Sequence, residues 1–152
     1  MGNKGSVRAW ALCLGLTATF PAVAQEEAIG TVKTAEADAS VVSAGKAVKA
    51  IPGTPVMRGS LLKTGTNGSL GVTFKDNTRM SIGPDTEVSV DDYLYAPSKG
   101  ELQLGASIRK GTLQYISGVI AKLKPEAVAI KTPTGTIGVR GTKFLVKVEA
   151  AQ

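Results

Sequence analysis

The residues best suited by type to do chemistry lie between Lys131 and Lys143, where Gly135, Gly138 and Gly141 surround Arg140. Glycine-rich turns beside a basic residue are one way a backbone cradles phosphate. The spacing fits neither common form of that cradle. A P-loop ends in Gly-Lys-Ser/Thr and opens a helix, whereas Gly141 precedes Thr142-Lys143 in the reverse order and Phe144 to Glu149 alternates like a strand. A dinucleotide fingerprint needs G-x-G-x-x-G, and the first gap here is too wide. Gly135, Gly138, Arg140 and Gly141 are therefore read as architectural, marking where backbone turns, bulges or approaches another chain. Arg140 would then fork onto nearby carbonyls or onto a carboxylate such as Asp85 or Asp92.

The remaining catalytic candidates are few. The chain has no His, and its one Cys, Cys13, lies in the N-terminal apolar stretch, so the commonest general base and the thiolate nucleophile are missing. Asp91 and Asp92 are adjacent and would point to opposite faces of a strand. Glu87 and Asp91 would share a face at about 13 Å, beyond the roughly 5–9.5 Å of paired glycosidase acids. Asp76, Asn77, Asp85, Asp91 and Asp92 lack the spacing of a calcium loop and suit β-turns instead. No catalytic, cofactor or metal residue is assigned. Tyr93, Tyr95 and Tyr115 are the candidates for a recognition surface, since tyrosine joins apolar area to a polar tip.

The elements that must carry these residues read as β throughout. From Ser40 onward, short alternating runs are separated by Gly, Pro, Asn and Asp. Val88 and Val90, Leu102 and Leu104, Val128 and Ile130, and Phe144, Val146 and Val148 mark the apolar faces. Only Val119 to Lys124, ended by Pro125, suits a single helical turn. One hairpin can be set in register. A three-residue loop, Lys75-Asp76-Asn77, pairs Phe74 with Thr78, Val72 with Met80 and Leu70 with Ile82, so all five apolar residues face one core. That turn needs a left-handed third residue, which Asn77 tolerates. Gly83-Pro84-Asp85 reads as a corner between strands. The expected fold is all-β: a single compact domain of short antiparallel strands, as a sandwich, a barrel-like sheet or a short β-solenoid.

The N-terminus reads as an address. Lys4 and Arg8 precede the apolar run Ala9 to Phe20, and Ala22-Val-Ala24 fits a small-x-small cleavage site. The apolar run is shorter than the about 20 residues that a membrane helix needs. The expected organisation is a signal peptide over 1–24, a lead-in over 25–45 with first strands near Ile29 to Thr34, the β domain over 46–149 and a tail over 150–152. Cleavage would release a periplasmic or secreted product with no transmembrane segment. Two of the cations behind the formal charge of +6 belong to that leader, and the rest are scattered along the chain. With only seven aromatic residues and no basic cluster among them, nucleic-acid binding is not expected, and the basic residues read as solvated surface.

Four segments together resemble the FecR domain: Gly59 to Gly65, Gly68 to Val88, Gly111 to Gly118 and Thr132 to Thr142. They run in family order from about Ala47 to Val148. The resemblance implies an all-β extracytoplasmic module, best known from regulators that sense iron-siderophore uptake. Only the FecR domain is matched, without the cytoplasmic segment and membrane helix of those regulators, so the chain resembles a stand-alone form. The expected function is an exported, non-catalytic binding module of the bacterial envelope, with an envelope protein or polysaccharide as partner. The alternatives are a component of a sigma-regulator or iron-uptake signalling system and, last, a secreted carboxylate-based enzyme.

Overall fold

The computed structural model describes residues 1–2, 26–141 and 143–150; residues 3–24 of the expected signal peptide and the expected cleavage point after Ala24 lie outside them. Strand makes up 58% of the described residues and helix 9%. The strands run β1 (Gly30–Glu36), β2 (Ala39–Ser43), β3 (Lys46–Lys49), β4 (Pro55–Val56), β5 (Leu61–Thr64), β6 (Ser69–Phe74), β7 (Arg79–Ile82), β8 (Glu87–Ala96) and β9 (Glu101–Ile116). A one-turn helix α1 (Val119–Leu123) follows, then β10 (Val128–Thr132), β11 (Gly135–Gly138) and β12 (Lys143–Val148).

These strands form one curled sheet, a half-barrel, in the order β3-β2-β5-β8-β9-β7-β6-β1-β4. Of the three expected architectures, the barrel-like one is realised. Two features depart from a set of short antiparallel strands. β9 has 16 residues, and β10 pairs with it in parallel, Val128 opposite Leu104. A parallel neighbour needs a return connection, which α1 and the 3-10 turn Pro125–Ala127 supply.

β9 is the hinge of the curl. Its first half pairs with β8 and its last residues with β7 and β12. The change of partner falls at Gly111, which has φ +93 and whose Cβ would run into the side chain of Thr86. Only glycine fits that bend. The Gly83–Asp85 corner sits opposite, where the Gly83 amide donates to the Thr112 carbonyl at 3.0 Å.

The β6–β7 hairpin has the register expected of it. Leu70 faces Ile82, Val72 faces Met80, and the Phe74 amide donates to the Thr78 carbonyl at 2.9 Å. Asn77 is left-handed at φ 64, and all five apolar side chains are buried. The lead-in over 25–45 holds β1 and β2. β1 and β2 are core strands, with Val32 and Val41 buried among the residues of β6, β5 and β8.

Candidate functional site

The expected recognition surface of tyrosines is not a surface. Tyr93 is 8% exposed and Tyr115 fully buried, while Tyr95 is half-buried against the core. The cause on β8 is a bulge: Val90 faces Ala106 but Asp92 faces Gly105. The extra residue, Asp91, reverses the alternation, so Val88, Val90 and then Tyr93 all point inward. Leu94, which strict alternation would bury with Val88 and Val90, is exposed instead. Tyr115 lies on the core face of β9, opposite Met80, and stacks on Phe144 at 4.9 Å.

The carboxylates are largely committed as acceptors. Asp76 is buried and ties the β6–β7 turn to its surroundings, accepting from the Tyr93 phenol and the Thr78 hydroxyl. Asp91 accepts from the hydroxyls of Ser89 and Ser107. Glu87 pairs with Lys63 at 3.2 Å and Asp85 with Lys110 at 3.0 Å. Among the described residues, no three His, Cys, Asp or Glu stand close enough together to hold a metal ion.

The glycine run forms the margin of the half-barrel. β10 and β11 make a hairpin, with Thr132 opposite Gly135 and Ala129 opposite Gly138. Among the described residues β11 pairs only with β10, and β12 only with β9. Both outer edges therefore present backbone amides and carbonyls without a strand partner. A cleft of about 600 Å³ lies between them, lined by Thr134, Thr136 and Ile137 on one side and Val146 and Val148 on the other. A second, of about 710 Å³, is lined by Pro125, Glu126, Val128, Val139 and Arg140. Val139 and Ile137 pack into the core and anchor the run, and the Ser117 hydroxyl donates to the Gly141 carbonyl at 2.6 Å.

The architectural reading of the run holds only in part. Gly141, at φ +142, has a backbone reason to be glycine. Gly135 and Gly138 have none: their φ values are ordinary and a Cβ on either would meet nothing within 4 Å. Arg140 is exposed, and among the described residues it forks onto neither Asp85 nor Asp92. Asp85 is taken by Lys110, whose place across the bend of β9 could be seen only after that bend was known. The run thus leaves side-chain-free backbone and one uncommitted guanidinium facing outward at an open edge.

A family model described as FecR protein matches residues 60–152, more than half of the chain, and the chain belongs to the FecR family. That family is of the envelope-signalling regulator type, acting through partner proteins. No curated protein and no solved structure matches the chain. The match takes in β11, β12 and both clefts, whereas β1 to β4 lie upstream of it although they share the core. No helix among the described residues is long and apolar enough to cross a membrane.

Proposed function

We propose that this protein is an exported, non-catalytic interaction module of the bacterial envelope that takes up an extended segment of a partner protein along the free edge of β11. The observation carrying this reading is the pairing of an unpartnered strand edge with two outward glycines that the fold itself does not require. An added strand satisfies the open amides and carbonyls, and side-chain-free positions let its backbone come close. Arg140, on the wall of the neighbouring cleft, supplies a bidentate donor for a carboxylate on the incoming segment.

Export rests on the leader-like N-terminus. N-terminal sequencing of the protein recovered from the periplasm or medium tests it: a chain beginning at Gln25 supports export, and one beginning at Met1 in the cytoplasm contradicts it. Family membership favours one further specification, that the partner belongs to a signalling system. Capture of a membrane-bound sigma regulator or an outer-membrane receptor by the wild-type protein, lost in Arg140→Ala, supports that role. Capture of neither, with an assembly or adhesion protein bound instead, favours a scaffold.

A further inference from the structure

From the outer face of the sheet formed by β1, β6, β7, the end of β9 and β12, we infer a second binding site, for an acidic polysaccharide. It is separate from the β11 edge and independent of the partner reading. The face is built by register. One row crosses it as Lys143, Ile116, Arg79, Thr73 and Thr31, and the next as Leu145, Gln114, Ser81, Gly71 and Thr34. Lys147 continues the β12 edge opposite Thr112. The bulge between Val32 and Thr34 adds Lys33 beside the second row.

Four cations, Lys33, Arg79, Lys143 and Lys147, are therefore exposed on one face, although they come from separate parts of the chain. None is in an ion pair among the described residues, where Lys63, Lys75 and Lys110 are the paired ones. Acids appear only at the margins. Glu36, which accepts from the Ser69 hydroxyl, and Glu149, after β12, lie toward one end of the strands, and Glu27, paired with Lys75, lies past the other end of β6. The opposite limb of the half-barrel mixes both signs, with Lys46, Lys49, Lys63, Arg109 and Lys110 among Glu87, Asp91, Asp92 and Glu101. On the outer face the four cations stand without acids between them, and an anionic ligand is their complement.

The face also has relief. The Thr34 hydroxyl lies over Gly71 where a Cβ would stand, and beside it is a hollow of about 330 Å³, lined by Lys33, Thr34, Thr73, Arg79 and Ser81. Two cations and three hydroxyls around one hollow suit a sugar carboxylate with neighbouring hydroxyls. Arg79 and Lys143 stand two strands apart, roughly 10 Å, and Lys143 and Lys147 about 13 Å apart along one strand. Cations at such intervals engage charges repeated along a chain better than a single small anion. The chemistry between them favours polysaccharide over the other polyanions. Among the described residues no aromatic side chain offers a base a stacking platform on this face, since Tyr115 is buried and Phe144 packs inward. Leu145 is its one large, well-exposed apolar residue, too little for insertion into a bilayer.

The test is binding of the full exported protein to a polyuronate oligosaccharide by calorimetry. The controls are neutral dextran, anionic lipid vesicles and a single-stranded oligonucleotide. The expected result is salt-sensitive binding to the polyuronate that falls at least about tenfold in the Lys33→Ala/Arg79→Ala double variant. A double variant on the other limb, Lys46→Ala/Lys49→Ala, should bind as the parent does, and both variants should melt like the parent. Equal losses in the two variants, or no binding by the parent, would overturn the site. Tighter binding of vesicles or oligonucleotide would reassign it to those ligands. Partner capture through Arg140 should survive the Lys33→Ala/Arg79→Ala change, so failure of either site is read separately.

Discussion

Tyr93 and Asp76 are locked together in both directions. The Tyr93 phenol donates to Asp76 Oδ1 at 3.0 Å and accepts the Asp76 backbone amide at 3.0 Å. The same carboxylate accepts the Thr78 hydroxyl at 2.6 Å and the Ile120 amide at 3.3 Å, while the Asp76 carbonyl accepts the Val119 amide at 2.7 Å. One turn residue thus joins the β6–β7 hairpin, β8 and the start of α1. Because this site is fully buried, each lost hydrogen bond leaves a polar group that water cannot reach.

Tyr93→Phe should therefore destabilise the protein by about 1–3 kcal/mol, and Asp76→Ala by more, since it orphans several donors at once. Tyr115→Phe should behave differently. The Tyr115 hydroxyl is buried with no hydrogen-bond partner among the described residues, so its removal should be neutral or stabilising. Urea unfolding of the three variants checks this contrast.

Burial also shifts the phenols. Desolvation first, and then the Asp76 charge, holds the Tyr93 proton on well above its ordinary range. Burial pushes Tyr115 up to about 12 from 10.0. The unfolded chain releases these protons first, so the native state binds more protons in the interval. The contribution to stability is complete below pH 10 and is lost as pH rises from there through about 12. Urea midpoints should fall between about pH 9 and pH 11.5, and Tyr115→Phe should flatten part of that fall.

The two phenylalanines are not equivalent. Phe74 is 2% exposed and stacks on Tyr93 at 5.6 Å, whereas Phe144 is half-buried near the open margin. Phe74→Ala should cost roughly 3–5 kcal/mol and Phe144→Ala distinctly less. Equal losses measured by denaturation would mean that β12 is packed more deeply than the structure has it.

Glycine substitutions should separate bend from edge. Gly111→Ala places a Cβ against Thr86 at a positive φ and should destabilise strongly. Gly138→Ala meets open space and should leave the melting temperature nearly unchanged, as should Arg140→Lys. If partner binding drops in the last two without loss of stability, they act at the interface.

These contrasts trace what could be read from residue order. The β6–β7 register was legible because turn length, Asn77 and the alternation of five apolar residues all agree. Tyr93 and Tyr95 turn inward because a bulge at Asp91, which leaves no mark in composition, inverts every later side chain on β8, and Tyr115 lies on the core face of β9 opposite Met80. Of the acceptors expected for Arg140, nearby carbonyls or a carboxylate such as Asp85 or Asp92, Asp85 is held by Lys110, and nothing local reveals the bend at Gly111 that brings Lys110 there. The cationic face was invisible for a related reason. Lys33, Arg79, Lys143 and Lys147 become neighbours only through long-range strand pairing.

The most direct measurement is photo-crosslinking in the producing cell, with a photoreactive amino acid replacing Thr136 on β11 or, as a control, Leu94 on β8. The interaction-module account predicts a discrete covalent adduct with one envelope protein from position 136, none from position 94, and loss of the adduct in an Arg140→Ala background. Adducts to the same protein from position 94 alone, or no adduct from position 136 in a folded and exported chain, would contradict it.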